Sequence, residues 1–140
     1  MNYDSLEVVL LDTDVFSYLM KPGDPRGLPY LRHVEGRITA LSVITVGELL
    51  FGAVRRNWGE RRVSALRQGL EGSFILPFDF ETAVVYARMK ADLRRQGRIL
   101  ADNDLWIAAL AVRHAVPLVS NNRAHFERIP GLVLLCEAPK

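Results

Sequence analysis

Cysteine is almost missing from this chain: Cys136 stands alone among 140 residues. A single thiol excludes a disulfide framework and a cysteine-based zinc site, and it fits a reducing, cytoplasmic setting. Lysine is scarce too, with Lys21, Lys90 and Lys140 beside fifteen arginines. The longest unbroken apolar run, Leu105 to Val112, falls far short of the roughly 20 residues that cross a bilayer. Asp4, Glu7 and Asp12 lie where a secretory signal would be basic and then apolar, so no such signal is expected. Repeats, low-complexity tracts and interdomain linkers are also lacking. What is present is 49% apolar and 24% charged residues, which removes the disordered and coiled-coil classes. The length fits one domain over residues 1–140. The net charge of +2 permits a nucleic-acid partner without requiring one. The arginine bias suits bidentate phosphate contact but also follows from a GC-rich coding sequence.

Short apolar runs alternate with longer helical patterns. Val8 to Leu11, Arg37 to Leu41, Phe74 to Pro77, Pro117 to Ser120 and Leu132 to Leu135 read as strands. Asp14 is placed to cap a helix running to Met20, and a short helix is expected near Pro29 to Val34. Ser42 caps an apolar helix over Val43 to Val54, and Arg55 to Leu70 reads as an amphipathic helix that follows. Asp79 to Arg95 and Asp104 to Ala115 complete the helices. This alternation predicts an α/β fold: a mostly parallel sheet of four to five strands covered on both faces, with ligands at the carboxyl ends of the strands.

Three acidic positions fall where burial would make a carboxylate costly. Asp12 directly follows the first strand, where either a turn or an active site is served by Asp. Glu48 has Ile44, Val46, Leu49, Leu50 and Phe51 as neighbours, so it needs a cation, a proton or a partner such as Arg55. One of Asp102 and Asp104 is expected to cap the helix they precede, leaving the other carboxylate spare at that helix start. Ser120, Asn121 and Asn122 follow the fourth strand, in a turn or at a site. If the strand ends converge, the carboxylates repel unless a cation intervenes. Oxygen donors alone favour Mg2+ or Mn2+ over zinc. His33, His114 and His125 have no metal-ligand spacing and read as structural, with His114 capping carbonyls at its helix end.

Leu10-Leu11-Asp12-Thr13-Asp14 resembles the opening of PIN-domain nucleases, specifically the VapC-type toxins of bacterial toxin–antitoxin pairs. Thr45 to Ala53 resembles their second motif, Asn103 to Ala109 the third, and Leu118 to Asn122 with Phe126 to Leu132 the C-terminal region. The resemblance covers nearly the whole chain in order. It implies a three-layer α/β/α domain and a magnesium-dependent endoribonuclease, with Mn2+ as a possible substitute. Asp12, Glu48 and Asp104 would hold the metal, Asn122 would complete the catalytic set, and Thr13 and Ser120 would position water or phosphate. Asp102 falls where the family varies. Asp14 stands where many relatives have Asn, and Asn122 where some have a fourth acid. In-line attack would leave a 5′-phosphate and a 3′-hydroxyl. The resemblance also implies a cognate antitoxin, an RNA substrate, a cytoplasmic location and a homodimer, for which Phe16, Tyr18, Leu19, Tyr30, Leu31 and Trp58 offer apolar surface or core.

Arg55, Arg56, Arg61, Arg62 and Arg67 form one basic cluster, and Arg88, Lys90, Arg94, Arg95 and Arg98 a second. Either a solvated helix face or an RNA track accounts for them. Two other functions use the same residues. Asp12-Thr13-Asp14 also resembles the DxD of haloacid-dehalogenase-like phosphatases, in which Asp12 would become phosphorylated. A non-catalytic RNA- or protein-binding module is the other alternative.

Overall fold

The computed structural model describes residues 7–139. Val8–Leu11 form strand β1, whose alternate residues face opposite ways. Leu10 enters a core with Ile107, Leu110 and Phe126 on one side of the sheet. Val9 and Leu11 enter a second core with Val15, Leu41 and Leu66 on the other. A strand apolar on both faces must be covered on both faces, and here it is.

The elements in order are β1, helix α1 (Thr13–Met20), a 3-10 turn (Leu28–Tyr30), α2 (Leu31–Val34), β2 (Ile38–Leu41), α3 (Val43–Arg55) and α4 (Glu60–Glu71). Then come β3 (Phe74–Ile75), α5 (Phe80–Arg95), α6 (Asp102–His114), β4 (Leu118–Val119), α7 (Arg123–Phe126) and β5 (Leu134–Leu135). The sheet has five strands in the order β3-β2-β1-β4-β5, and every pairing is parallel. The chain builds outward from β1 to β3, then returns to add β4 and β5 on the other side. That reversal makes a crevice at the carboxyl ends of β1 and β4, the place where open α/β sheets bind ligands. The pairing of Leu11 with Val119 sets the residues just beyond, Asp12 and Ser120, side by side there.

Three sequence expectations about helix ends are corrected. Asp12, not Asp14, caps α1: its Oδ1 accepts from the Thr13 amide at 2.8 Å. The amphipathic helix does not begin at Arg55. Asn57 turns into the left-handed region at φ 54, and α4 starts afresh after Gly59. Neither Asp102 nor Asp104 caps α6. Both lie in its first turn, and the capping position is Ala101, with no side-chain bond. Their charges still favour that end through the helix dipole. Ser42 does cap α3, accepting from the Thr45 amide at 3.1 Å.

Candidate active site

Asp12 is the most constrained acid of the crevice. It is 8% exposed, and Ser120 Oγ donates to its Oδ2 at 2.8 Å. Ser120 Oγ in turn accepts from the Asn122 amide at 3.0 Å, which ties the turn after β4 to the turn after β1. Burial pushes the Asp12 carboxyl up to about 6; the bonds from Ser120 and Thr13 oppose that rise, and the charges of Asp104 and Asp14 add to it.

Glu48 reaches the crevice from α3. Thr13 Oγ1 lies 3.0 Å from both Glu48 Oε1 and Thr45 Oγ1. A hydroxyl carries one proton. When Thr13 donates it to Glu48, Thr45 turns to donate into Thr13. Glu48 was expected inside an apolar helix, but it is exposed on the crevice side. The apolar residues Phe51 and Val54 face solvent instead, 65% and 72% exposed. No ion pair joins Glu48 to Arg55 among the described residues. Partial desolvation raises the Glu48 carboxyl pKa, eased by the Thr13 bond, and the charges of Asp104 and Asp14 raise it further. The charges of Asp14 and Asp104 thus oppose ionisation of both Asp12 and Glu48.

Asp104 projects from the first turn of α6, and His125 Nδ1 stands 2.7 Å from its Oδ2. The same nitrogen is 2.7 Å from the Asn122 side-chain amide. One ring nitrogen either donates its proton to Asp104 or accepts from the Asn122 Nδ2, so the two contacts alternate with the tautomer of His125. His125 is therefore a site residue, correcting its reading as structural. Its sequence signal is the three-residue spacing from Asn122, which puts both on one side of α7. His114 and His33 do lie outside the site. His114 Nε2 meets the Pro77 carbonyl at 2.9 Å rather than its own helix end, and His33 meets Glu137 at 3.0 Å. Asp102 turns away from Asp104, taking bonds from Tyr86 at 2.9 Å and Lys90 at 3.1 Å.

Two clefts are lined by cations. One, of about 500 Å3, is lined by Thr13, Asp14 and Glu48 together with Arg55, Arg56 and Arg62. Arg62 lies over the Trp58 ring, 3.9 Å from its centroid. Phe16, Leu19 and Trp58 are half-buried against the second core, Tyr30 is fully buried and Leu31 is exposed. The second cleft lies between α5 and α6 and includes Arg94. Arg61 lines neither cleft, and Arg95 is held by Asp92 on its own helix.

The oxygen donors of Asp12, Glu48 and Asp104 suit a hard divalent cation, and their mutual repulsion is what such a cation would relieve. Among the described residues, no three Asp, Glu, His or Cys side chains close into a ready cage. Mg2+ keeps several waters and takes one or two carboxylates, so an open half-shell fits it. No helix of the described residues is long and apolar enough to cross a membrane.

Residues 9–132 match the PIN domain family. Ribonuclease VapC2 of Haemophilus influenzae is 33% identical over 123 residues, 88% of this chain and 92% of that protein. The tRNA(fMet)-specific endonuclease VapC of Shigella flexneri is 30% identical over 125 residues, again 88% and 92%. The crystal structure of VapBC2 from Rickettsia felis, bound to a DNA fragment from their promoter, superposes with a TM-score of 0.80 at 28% identity, covering 92% of this chain and 98% of that one. These relatives are nucleases, not phosphatases, and the haloacid-dehalogenase alternative is set aside.

Proposed function

The chain belongs to the PIN-domain family, among proteins of the VapC ribonuclease type, and from that premise we propose that it is the endoribonuclease toxin of a toxin–antitoxin pair. Its reaction is the hydrolysis of RNA phosphodiesters. The observation that carries this reading is the buried Asp12, pushed up to about 6 beside Glu48 and Asp104. A fold that holds such a carboxylate at a crevice, among other acids, leaves it in need of positive charge.

Asp12, Asp104 and Glu48 are the residues that would hold a divalent cation. When bound, the cation lowers the pKa of a coordinated water and screens the phosphate charge. Ser120 and Thr13 keep the Asp12 and Glu48 carboxylates aimed into the crevice by donating to them. Asn122 offers an amide to orient water or a phosphate oxygen. Arg55, Arg56 and Arg62 line the same cleft as Asp14 and Glu48 and supply cations for the RNA backbone. Attack in line leaves a 5′-phosphate and a 3′-hydroxyl.

In this reading the protein acts in the cytoplasm as a homodimer restrained by a protein antitoxin, and the crystal structures of VapBC assemblies speak for the antitoxin alone. Exposed Phe51 and Val54 give α3 an apolar strip suited to a protein partner. Light scattering of the purified chain at varied concentration checks the dimer.

Asp12→Ala and Asp104→Ala proteins, incubated with total RNA and Mg2+, are expected to cleave at least about a hundredfold more slowly than the parent, and chelation is expected to silence the parent. Variants that cleave at the parental rate would overturn the assignment. Parental cleavage in excess chelator would remove the cation from it.

A further inference from the structure

The three acids of the crevice are held in different ways. Asp12 is fixed at both oxygens, by the Thr13 amide and by Ser120 Oγ, each at 2.8 Å. Glu48 accepts from Thr13 Oγ1 at 3.0 Å. Asp104 has no such support from its own element. It stands in the first turn of α6, whose capping position makes no side-chain bond, and Tyr86 and Lys90 bond to Asp102 instead. Among the described residues, the one hydrogen-bond partner of the Asp104 carboxylate is His125, 2.7 Å from Oδ2.

His125 has a firm base. Its neighbour Phe126 is 1% exposed and shares a core with Leu105 and Ile107, which ties α7 to the helix that carries Asp104. The His125 amide donates to the Asn122 carbonyl at 3.2 Å. The Asn122 amide donates to Ser120 Oγ at 3.0 Å, and Ser120 Oγ donates to Asp12. One short stretch, residues 120–125, thus reaches the carboxylate beyond β1 with its first residue and the carboxylate of α6 with its last. An ionised carboxylate only accepts, so the bond to Asp104 uses the tautomer with the proton on Nδ1. The contact with Asn122 Nδ2 belongs to the other tautomer.

Stability does not account for this bond. The His125 side chain is 45% exposed and that of Asp104 23%, and pairs so open to water add little to folding. What the bond changes is the freedom of the Asp104 side chain. A carboxylate fixed before a cation arrives spares binding the cost of ordering it.

We propose that His125 is the positioning residue for Asp104, and that residues 120–125 use it to hold Asp104 and Asp12 together for one divalent cation. The role rests on the nuclease reading and deepens it. His125 acts through Asp104 and is not itself a ligand.

The test uses the full chain and Mn2+ alone, without RNA, with binding followed by loss of the free-ion electron paramagnetic resonance signal. His125→Leu removes the donor and keeps bulk. His125→Asn keeps an N–H near the place of Nδ1. The leucine variant is expected to bind Mn2+ about tenfold more weakly than the parent, and the asparagine variant to recover most of that loss. His33→Leu, which breaks the histidine–carboxylate pair with Glu137 outside the crevice, should leave Mn2+ affinity unchanged. Circular dichroism confirms that each variant is folded, and His125→Ala replaces the leucine variant if the larger side chain disturbs α7. RNA cleavage by the leucine variant is expected to fall at low Mn2+ and to recover as Mn2+ is raised. If the parent binds Mn2+ and cleaves RNA while His125→Leu keeps its affinity, the positioning role is wrong and the nuclease reading stands. Tighter binding by His125→Leu would show that His125 competes with the cation, and an asparagine variant as weak as the leucine one would show that the N–H is not the cause; either overturns the role. If the parent neither binds Mn2+ nor cleaves RNA in its presence, both readings fall.

Discussion

Asp12 carries opposite demands from folding and from chemistry. Its carboxyl holds a proton up to about 6 in the fold, against an ordinary value of 3.8. The folded state therefore binds a proton more readily than the unfolded state between those values. Stability without metal falls as pH rises through that window, and the whole penalty is present at neutral pH. It is on the order of 2–3 kcal/mol. Asp12→Asn removes the charge but keeps an oxygen to accept from the Thr13 amide, since Asn caps as well as Asp. The metal-free variant is expected to melt several degrees above the parent at neutral pH, and Mg2+ to raise the parent's melting point but not the variant's. A variant that melts below the parent would refute this account. The acid itself was legible in the sequence as a candidate, because an Asp after an apolar strand serves a turn, a cap or a site, and here it both caps α1 and lines the crevice. His125 was not. Its contact depends on α6 and α7 meeting across a separation of 21 positions from Asp104, and the spacing from Asn122 alone does not announce it.

Among the elements, the pairing of α5 with α6 depends on one side chain. Asp79 caps α5 by accepting from the Thr82 amide at 2.9 Å, and Thr82 returns the bond in a capping box. The same carboxylate receives Arg113 of α6 at 2.7 Å. The Arg113 guanidinium and the two Thr82 bonds hold the Asp79 carboxyl far below the usual range. A depressed carboxylate adds stability above its unfolded pKa and loses it as pH falls. Asp79→Ala is expected to lower the melting temperature at neutral pH, and its gap from the parent should narrow below about pH 4. A gap constant with pH would refute the ion pair's share. The helix beginning at Asp79 was readable from sequence, though not the capping role of that residue, and so were all five strands, because their apolar runs are bounded by polar residues. The break after α3 was not, although Asn57 and Gly59 stood there. Arginines on both sides continued the helical charge pattern and masked it. The acids at α6 misled for a different reason: two capping residues in a row stood in the first turn, and the cap itself fell on an alanine.

At the scale of the molecule, the final segment is latched to the first helices. The buried Tyr30 hydroxyl donates to Asn121 Oδ1 at 2.8 Å and accepts from the Glu137 amide at 3.1 Å. Arg123 donates to the carbonyls of Cys136 and Ala138. Tyr30→Phe leaves the Asn121 and Glu137 groups without that partner and is expected to cost about 1–2 kcal/mol in urea unfolding. No loss would show that water replaces the hydroxyl without penalty. The sheet order has a further consequence, in time rather than space. Asp12 and Ser120 are bonded across 108 residues of chain. At roughly 5–20 residues per second, the ribosome makes Ser120 several seconds after Asp12. Until β4 is made, β1 has no neighbour on one side and Asp12 no Ser120. The bond that fixes the Asp12 carboxylate in the crevice is thus closed only after Ser120, late in the chain, has been translated.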